Sequence, residues 1–208
     1  MRKCEAFIQN IFYIFSFLTV LSNKRMLILI AGPSGSGKST LIAELCKTDP
    51  SFKEYIPHTT RSMRPGETER SFYFVDKINP DECMEHVEYD GYEYALSIAE
   101  YYRLRGPKTP KSYVVAPMAA ANIKHCDFSK LPGEPVIIVG LVAPKETITD
   151  RLEARGYMTR ESIAYRVDRV DTERELLQQH ADVLLDTDKT SVAECIESVK
   201  SFLKENAV

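Results

Sequence analysis

The sequence predicts an α/β fold, a doubly wound parallel sheet with helices on both faces. Residues 26–30 form an unbroken apolar run, which is typical of a strand buried on both faces. Short apolar runs and helix-period segments then alternate along the chain, as expected for parallel strands joined by helices. At 208 residues the chain is long enough for one domain with a substantial core.

The loop after the first strand is the strongest functional signal. Residues 32–40 read Gly-Pro-Ser-Gly-Ser-Gly-Lys-Ser-Thr, which is the spacing of a phosphate-binding loop (P-loop), and a helical pattern follows. Glycines let the backbone turn its N–H groups toward an anion, and the helix adds the positive end of its dipole. We expect Lys38 to bind the outer phosphates of ATP and Ser39 to bind the accompanying Mg²⁺. The predicted ATP-binding residues are Gly32, Pro33, Ser34, Gly35, Ser36, Gly37, Lys38, Ser39 and Thr40.

Composition and charge narrow the class of partner. The net charge is −3, so nothing suggests a nucleic-acid partner. Basic residues cluster at 61–70, 103–111 and 151–174, and local positive fields in an acidic protein suit a small anionic ligand. The cysteines are odd in number and none has metal-ligand spacing, which favours reduced thiols in a cytosolic protein. They are Cys4, Cys46, Cys83, Cys126 and Cys195.

The first 25 residues stand outside the α/β pattern. Residues 11–21 are apolar and follow two basic residues, as in a signal peptide, but no small-x-small cleavage site follows them. The run is also too short to span a bilayer comfortably. Because a phosphate loop needs cytosolic nucleotide, we expect a cytoplasmic protein with no membrane partner, in which residues 1–25 are a non-essential extension.

An insertion between two pieces of the core is predicted at residues 57–104. It opens with two arginines, Arg61 and Arg64, beside a Pro-Gly turn. A guanidinium pair can hold one monoester phosphate bidentately, although a solvated charged loop explains this stretch alone equally well. The insertion is also predicted to contain a short aromatic strand at 71–75, a short helix at 81–87 and a strand that leaves a turn at Asp90. Packing of a small sheet accounts for the tyrosines here as readily as recognition of a base does.

The rest of the chain supplies core strands and two groups of arginines. Strands are predicted at 113–116, 135–141 and 182–185, and a capping box at 191–194 begins an amphipathic C-terminal helix. Pro144 opens a helix that ends at Gly156, and Thr159 caps a second helix that buries Ile163, Val167 and Val170. Arg151 and Arg155 share a face of the first helix, and Arg166 and Arg169 share a face of the second. These arginines are either surface charges paired with Asp168, Asp171 and Glu173, or a lid that brings cations onto transferring phosphates.

These motifs together resemble the guanylate kinase family over residues 26–203. The specific match is Thr-Thr-Arg at 59–61, then Arg-Pro-Gly-Glu at 64–67 and Phe-Val at 74–75. The resemblance implies a core (residues 26–56, 105–144 and 180–208) that carries a nucleoside-monophosphate-binding sub-domain (57–104) and a lid (145–179).

The resemblance also assigns roles to site residues. Arg61 and Arg64 would hold the phosphate of GMP, Glu85 would read guanine and Tyr94 would contact the phosphate. The substrate-binding set is His58, Arg61, Arg64, Phe72, Tyr73, Glu85 and Tyr94. The catalytic set is Lys38, Arg151, Arg155 and Arg166, with the three arginines facing the phosphates.

The chain departs from the family pattern at several of these positions. His58 stands where the family has serine, Phe72 stands where it has tyrosine, and Ala95 and Leu96 replace a Gly-Ser or Gly-Thr pair. The family's Asp-x-Asp at the end of the next core strand is absent, since residues 113–118 read Tyr-Val-Val-Ala-Pro-Met. Those acids help to read guanine and to organise Mg²⁺. The candidates to replace them are Glu85, Asp76 and Asp90.

The predicted activity is transfer of the γ-phosphoryl group of Mg-ATP to GMP or dGMP, by a monomer or homodimer. One alternative is a kinase for another nucleotide or a small phosphorylated metabolite. A second alternative is a non-catalytic module of the same fold, which the intact Lys38 and Ser39 argue against.

Overall fold

A computed structural model describes residues 25–64, 67–106 and 112–206 of the 208-residue chain. The extension predicted at 1–25 therefore lies outside the described residues except for Arg25, as do Pro65 and Gly66 of the arginine motif. In the part of the chain that is described, no helix is long and apolar enough to cross a membrane. The apolar run at 11–21 lies outside that part.

The described residues form strands and helices in the predicted alternation. The strands are β1 (Arg25–Gly32), β2 (Phe52–Glu54), β3 (His58–Thr59), β4 (Tyr73–Phe74), β5 (Cys83–Tyr89), β6 (Tyr92–Ser97), β7 (Ser112–Ala119), β8 (Val136–Val142) and β9 (Val183–Asp186). The α-helices are α1 (Lys38–Thr48), α2 (Ile98–Arg105), α3 (Lys145–Glu153), α4 (Arg160–Asp168), α5 (Val170–His180) and α6 (Val192–Glu205). Short 3₁₀ turns occupy Pro80–Glu82, Ala120–His125 and Phe128–Lys130.

The central sheet has five parallel strands in the order β2-β7-β1-β8-β9, which confirms the predicted doubly wound α/β fold. Strand β1 lies in the middle, and its side chains alternate between two cores. Ile28 and Ile30 pack with α1 and α6 on one face, while Leu27 and Leu29 pack with α2 and α5 on the other. Burial on both faces explains why this strand is apolar at every position from 26 to 30.

The insertion builds a second sheet, in the order β4-β3-β6-β5. The β5–β6 hairpin turns at Asp90 and Gly91, whose φ angles of 57° and 74° place both residues in the left-handed region. The helix predicted at residues 81–87 is wrong. A 3₁₀ turn at Pro80–Glu82 leads instead into β5, and the register of β5 against β6 shifts between Cys83 and Glu85. The apolar spacing of such a short run does not distinguish a helix from a strand.

The helices after β8 also differ from the prediction. Thr159 is a confirmed N-cap, because its side chain accepts a hydrogen bond from the backbone N–H of Ser162. The helix it begins stops at Asp168, however, and Val170 begins a separate helix, α5. The predicted capping box of α6 is confirmed at Ser191 and Glu194. The edge strand β2 and helix α2 were not predicted.

Candidate nucleotide-binding site

The phosphate loop joins β1 to α1 and lines a cavity of about 220 Å³. Gly35 and Gly37 have φ angles of 88° and 97°, conformations that an L-side chain rarely adopts. At Gly32 a Cβ atom would lie 2.8 Å from the carbonyl oxygen of Leu141, so the close approach of β8 requires glycine there. The cavity is lined by Ser34, Gly35, Gly37, Lys38, Ser39, Thr40 and Arg155.

Lys38 lies folded back over this loop. Its Nζ donates hydrogen bonds to the carbonyl oxygens of Gly32 at 2.7 Å and Pro33 at 2.8 Å. The pKa of Lys38 is lowered to about 8, chiefly by burial; the charge of Glu173 opposes this shift, and the charges of Arg155 and Arg166 add to it. The lysine is therefore held at the loop by backbone oxygens, with other cations close by.

The lid arginines occupy distinct places. Arg155 is exposed and lines the cavity together with the loop. Arg151 instead donates hydrogen bonds to Thr187, to Oγ1 at 3.0 Å and to the carbonyl oxygen at 2.8 Å, and its Nη1 lies 3.3 Å from the carbonyl oxygen of Gly35. Arg151 thus braces the loop against the segment that follows β9. Its contact with a phosphate stays a prediction.

Arg166 links the lid to the insertion. Its Cζ atom lies 5.8 Å from the ring centroid of Tyr89 on β5, and the ring of Tyr165 is 6.4 Å from that of Tyr89. The charge of Arg166 also lowers the pKa of Lys38 at the phosphate loop. Through its contact with Tyr89, the helix that carries Arg166 meets the inserted sheet.

Arg61 is buried in the insertion and is paired with a carboxylate. Its side chain is 4% exposed and makes two hydrogen bonds with Glu67, at 2.7 and 2.6 Å. Its guanidinium lies over the rings of Phe72 and Phe74, at 4.8 and 5.6 Å from their centroids. Glu67 also accepts a hydrogen bond of 2.9 Å from the backbone N–H of Arg64. The resemblance identified both arginines but gave no role to Glu67, which orients the first of them.

The remaining predicted substrate residues lie around the small sheet. The ring of Phe72 packs edge-on against Tyr94, with 6.1 Å between their centroids. His58 lies 4.9 Å from Tyr73, ring to ring, and burial lowers the pKa of His58. These four side chains and Arg61 therefore share one region of the insertion, although their contact with a substrate stays a prediction.

Glu85 is buried at the junction of the insertion and the core. Its Oε1 accepts a hydrogen bond of 2.8 Å from the amide of Asn122, and the residue is 5% exposed. Burial raises the pKa of Glu85 to about 7, against the opposing effect of this hydrogen bond. Of the three carboxylates considered as replacements for the Asp-x-Asp pair, Asp76 and Asp90 are exposed. Glu85 alone among the three is buried against the segment that follows β7.

Asn122 is a candidate site residue that the sequence interpretation missed. It lies in the 3₁₀ turn Ala120–His125, just beyond the carboxyl end of β7. Ligands of open parallel sheets bind outside the carboxyl ends of the strands, so a polar residue after the run Ala119-Ala120-Ala121 was a usable signal.

The residues of the loop fit a Mg²⁺ ion that arrives with the nucleotide. Ser39 is exposed beside the cavity at the first turn of α1. Across residues 25–64, 67–106 and 112–206, no cluster of three or more His, Cys, Asp or Glu side chains could cage a metal. Mg²⁺ keeps several waters and takes oxygens from the substrate phosphates, so it does not need a cage made of protein ligands alone.

Comparison with known proteins agrees with this geometry. The family model described as "Guanylate kinase" matches residues 23–206. A guanylate kinase of Streptococcus pyogenes serotype M3 is 27% identical over 188 residues, 86% of each chain. A solved guanylate kinase from Anaplasma phagocytophilum superposes with a TM-score of 0.60 at 18% identity, over 90% of this chain and 88% of that one. A shikimate kinase from Acinetobacter baumannii has a TM-score of 0.52 at 15% identity, over 90% of this chain and 98% of that one, which supports the fold alone.

The family match spans all the described residues, and the phosphate loop, the arginine motif and the residues predicted as a lid fall within it. The chain therefore belongs to the guanylate kinase family, a family of ATP-dependent phosphotransferases.

Proposed function

We propose that the protein transfers the γ-phosphoryl group of Mg-ATP to GMP or dGMP and forms the diphosphate. The observation that carries this proposal is the combination of two cationic sites in one molecule. One is the phosphate loop around Lys38, and the other is Arg61, held in a fixed orientation by Glu67. The contact of Arg166 with Tyr89 supports a cleft that closes between these two cationic sites.

In this proposal the donor site works through position and charge. Lys38 and the N–H groups of the loop bind the β- and γ-phosphates, which fixes the γ-phosphorus for in-line attack. When bound, Mg²⁺ neutralises charge on the donor phosphates, and Ser39 is its protein ligand. Before ATP binds, Lys38 Nζ donates hydrogen bonds to two backbone carbonyl oxygens. When ATP binds, these hydrogen bonds are replaced by hydrogen bonds to the phosphate oxygens.

The proposed acceptor site lies in the insertion, residues 57–104. Arg61 and Arg64 bind the phosphate of the monophosphate, and Glu67 gives up part of its hold on Arg61 when this second anion arrives. Glu85 accepts hydrogen bonds from the base with its second carboxylate oxygen, because Asn122 already occupies the first. Guanine presents N–H donors on its Watson–Crick edge, so a carboxylate oxygen that accepts hydrogen bonds matches this base.

The proposed lid, residues 145–179, completes the site. Arg155 and Arg166 stabilise charge on the transferred phosphoryl group, and closure excludes water that would otherwise accept it. Arg151 supports the loop through Gly35 and Thr187. The nucleotides that this reaction needs are cytosolic, so the proposed location of the protein is the cytoplasm.

A coupled spectrophotometric assay of the full chain with a panel of monophosphates tests the proposal. We expect kcat/KM for GMP and dGMP to exceed that for AMP, CMP and UMP by on the order of a hundredfold or more, since a buried carboxylate left without its base donors is unfavourable. Equal rates across the panel would remove the guanylate assignment.

A second candidate is a kinase for another phosphorylated acceptor. It is favoured by the end of β7, where Ala116, Pro117 and Met118 stand in place of the acidic pair. Turnover of a different phosphorylated compound, with GMP inactive, would support it. Tight ATP binding without turnover of any acceptor would support a non-catalytic module instead.

A further inference from the structure

Strand β5 begins with a β-bulge. Its register against β6 passes from the pair Cys83–Ser97 to the pair Glu85–Leu96, so Met84 is one extra residue on the β5 side. Three consecutive residues, Cys83, Met84 and Glu85, are buried here, whereas a regular strand turns successive side chains to opposite faces. Bulges are common beside active sites, where they change the direction of a side chain.

The bulge determines the face of the small sheet on which Glu85 lies. Met84 and Leu96 belong to the apolar core that includes residues of β1 and β7, whereas Ala95 belongs to the small core of the insertion. Opposed residues of antiparallel strands share a face, so Glu85, opposite Leu96, lies on the face toward the central sheet. Without the extra residue the side chains would exchange faces, and Glu85 would point away from Asn122.

The bulge is bonded on its outer side to the segment that follows β7, residues 120–130. Strand β5 is at the edge of the small sheet, and this segment contacts it there. The backbone N–H of Asp127 donates a hydrogen bond of 2.7 Å to the carbonyl oxygen of Met84. The amide of Asn122 donates the 2.8 Å hydrogen bond to Glu85. The bulge is therefore bonded to the core on one side and paired with β6 on the other.

Lys130 binds the start of the bulge with its side chain. Its Nζ donates a hydrogen bond of 2.8 Å to the carbonyl oxygen of Cys83, and it lies 3.4 and 3.5 Å from the carbonyl oxygens of Pro80 and Asp81. An ammonium group has three donors and suits such a set of acceptors. The next residue, Leu131, is 2% exposed and anchors the backbone at Lys130 in the core.

We propose that Lys130 is a positioning residue for the acceptor base, because it holds the bulge of β5 in the register that directs Glu85 toward that base. Lys130 acts only through Cys83 and the bulge, and it takes no part in phosphoryl transfer. This inference rests on the proposed function in one respect, that Glu85 binds the base of the monophosphate.

The first test is steady-state kinetics of Lys130→Met in the full chain. Methionine keeps much of the length of the side chain and removes its donors. We expect KM for GMP to rise about tenfold, because a loosened bulge no longer holds the carboxylate against the base. Both kcat and KM for ATP should change by less than about twofold, since the lysine acts only on the acceptor site.

Two further variants control for the charge and for the segment. Lys130→Arg keeps cationic donors, so KM for GMP should stay within about threefold of the unmodified value. Lys124→Met is the matched control, because Lys124 is exposed in the same segment. It should leave both KM values unchanged.

A carboxyl NMR titration reports on Glu85 without any substrate. Burial raises the pKa of this carboxyl from 4.5 to about 7. A relaxed bulge admits water, so in Lys130→Met we expect the pKa of Glu85 to fall by about one unit or more. Loss of a positive charge by itself would raise this pKa or leave it unchanged, so a fall reports a change in the position of Glu85.

The outcomes separate this inference from the proposed function. If the unmodified chain does not phosphorylate GMP, the proposed function fails and the role of Lys130 fails with it. If it phosphorylates GMP, but Lys130→Met leaves either KM for GMP or the pKa of Glu85 unchanged, only the role of Lys130 is overturned. Equal rises in KM for ATP and GMP would also overturn it, because the lysine would then support the fold in general. If Lys130→Met shows no cooperative thermal transition, Lys130→Gln, which is too short to reach Cys83, replaces it in both measurements.

Discussion

The phosphate loop and the inserted sheet hold their cations in different ways. At the loop, Lys38 is bound by backbone carbonyl oxygens, and the negative charge that raises its pKa comes from another helix, α5. In the insertion, Arg61 is locked to Glu67, a residue of the same short motif. A cation held by backbone oxygens depends on few side chains. A cation held by another side chain depends on both residues, and a substitution of either one changes the site. The insertion is also where this chain departs most from the family pattern.

The largest expected effect belongs to the loop. Lys38→Ala removes the one full charge that the loop itself supplies to the transferred phosphoryl group, so we expect kcat/KM to fall on the order of a thousandfold. Lys47→Ala is the matched control, because Lys47 is exposed on the same helix and pairs with Glu44 at 3.1 Å. Steady-state kinetics measure both variants. A loss below tenfold for Lys38→Ala would mean that the loop does not act on the phosphoryl group.

The second-largest effect should be on the KM for the acceptor nucleotide and not on the KM for ATP. Arg61→Ala removes a bidentate guanidinium, so we expect KM for GMP to rise on the order of a hundredfold while KM for ATP changes little. Arg70→Ala, at an exposed position of the same segment, should leave both constants unchanged. Equal rises in the two KM values would contradict a division into separate donor and acceptor sites.

The buried Glu85 predicts a pH dependence. Its folded-state pKa is raised to about 7 from an ordinary value of 4.5, so the folded protein holds this proton more tightly than the unfolded chain does. The contribution to stability is complete below pH 4.5 and is lost as the pH rises through 7, by about 3 kcal/mol at most. Chemical denaturation between pH 4 and 8 measures how the free energy of unfolding depends on pH. Glu85→Gln should remove the part of that dependence that Glu85 contributes. An unchanged slope in the variant would contradict the raised pKa.

A smaller effect is expected at Asn122. Asn122→Ala leaves Glu85 without its hydrogen-bond donor, so we expect KM for GMP to rise about tenfold and the free energy of unfolding to fall by ~1–3 kcal/mol. Asn206→Ala, near the end of α6, is a control far from the site. If KM for every monophosphate rises equally, Asn122 supports the fold and not the reading of the base.

The smallest effect should come from the contact between the lid and the insertion. Tyr89→Leu removes the ring beneath Arg166, and a partly exposed cation–π contact is worth ~0.5–1 kcal/mol. We expect kcat/KM to fall twofold to fivefold, with no change for Tyr92→Leu on the neighbouring strand. A stimulation by Tyr89→Leu would show that the contact slows the enzyme instead of assisting closure.

The same contrast explains what could be predicted from the sequence. Strand β1, the phosphate loop and the capping box at Ser191 depend on local spacing, and each was identified correctly. The strand at Cys83–Tyr89 was taken for a helix because its pairing with β6 decides its conformation. The pairing of Glu85 with Asn122, 37 residues apart, depends on a tertiary contact that no local pattern records.

The central claim is that the two cationic sites act together on two nucleotides. Its most direct test is the affinity of the full chain for a bisubstrate compound, adenosine and guanosine joined through a chain of phosphates. The account predicts that this compound binds at least tenfold more tightly than ATP or GMP, and that Lys38→Ala and Arg61→Ala each abolish the gain. A gain that survives Arg61→Ala would contradict the account, because the guanosine end would then lie outside the proposed acceptor site.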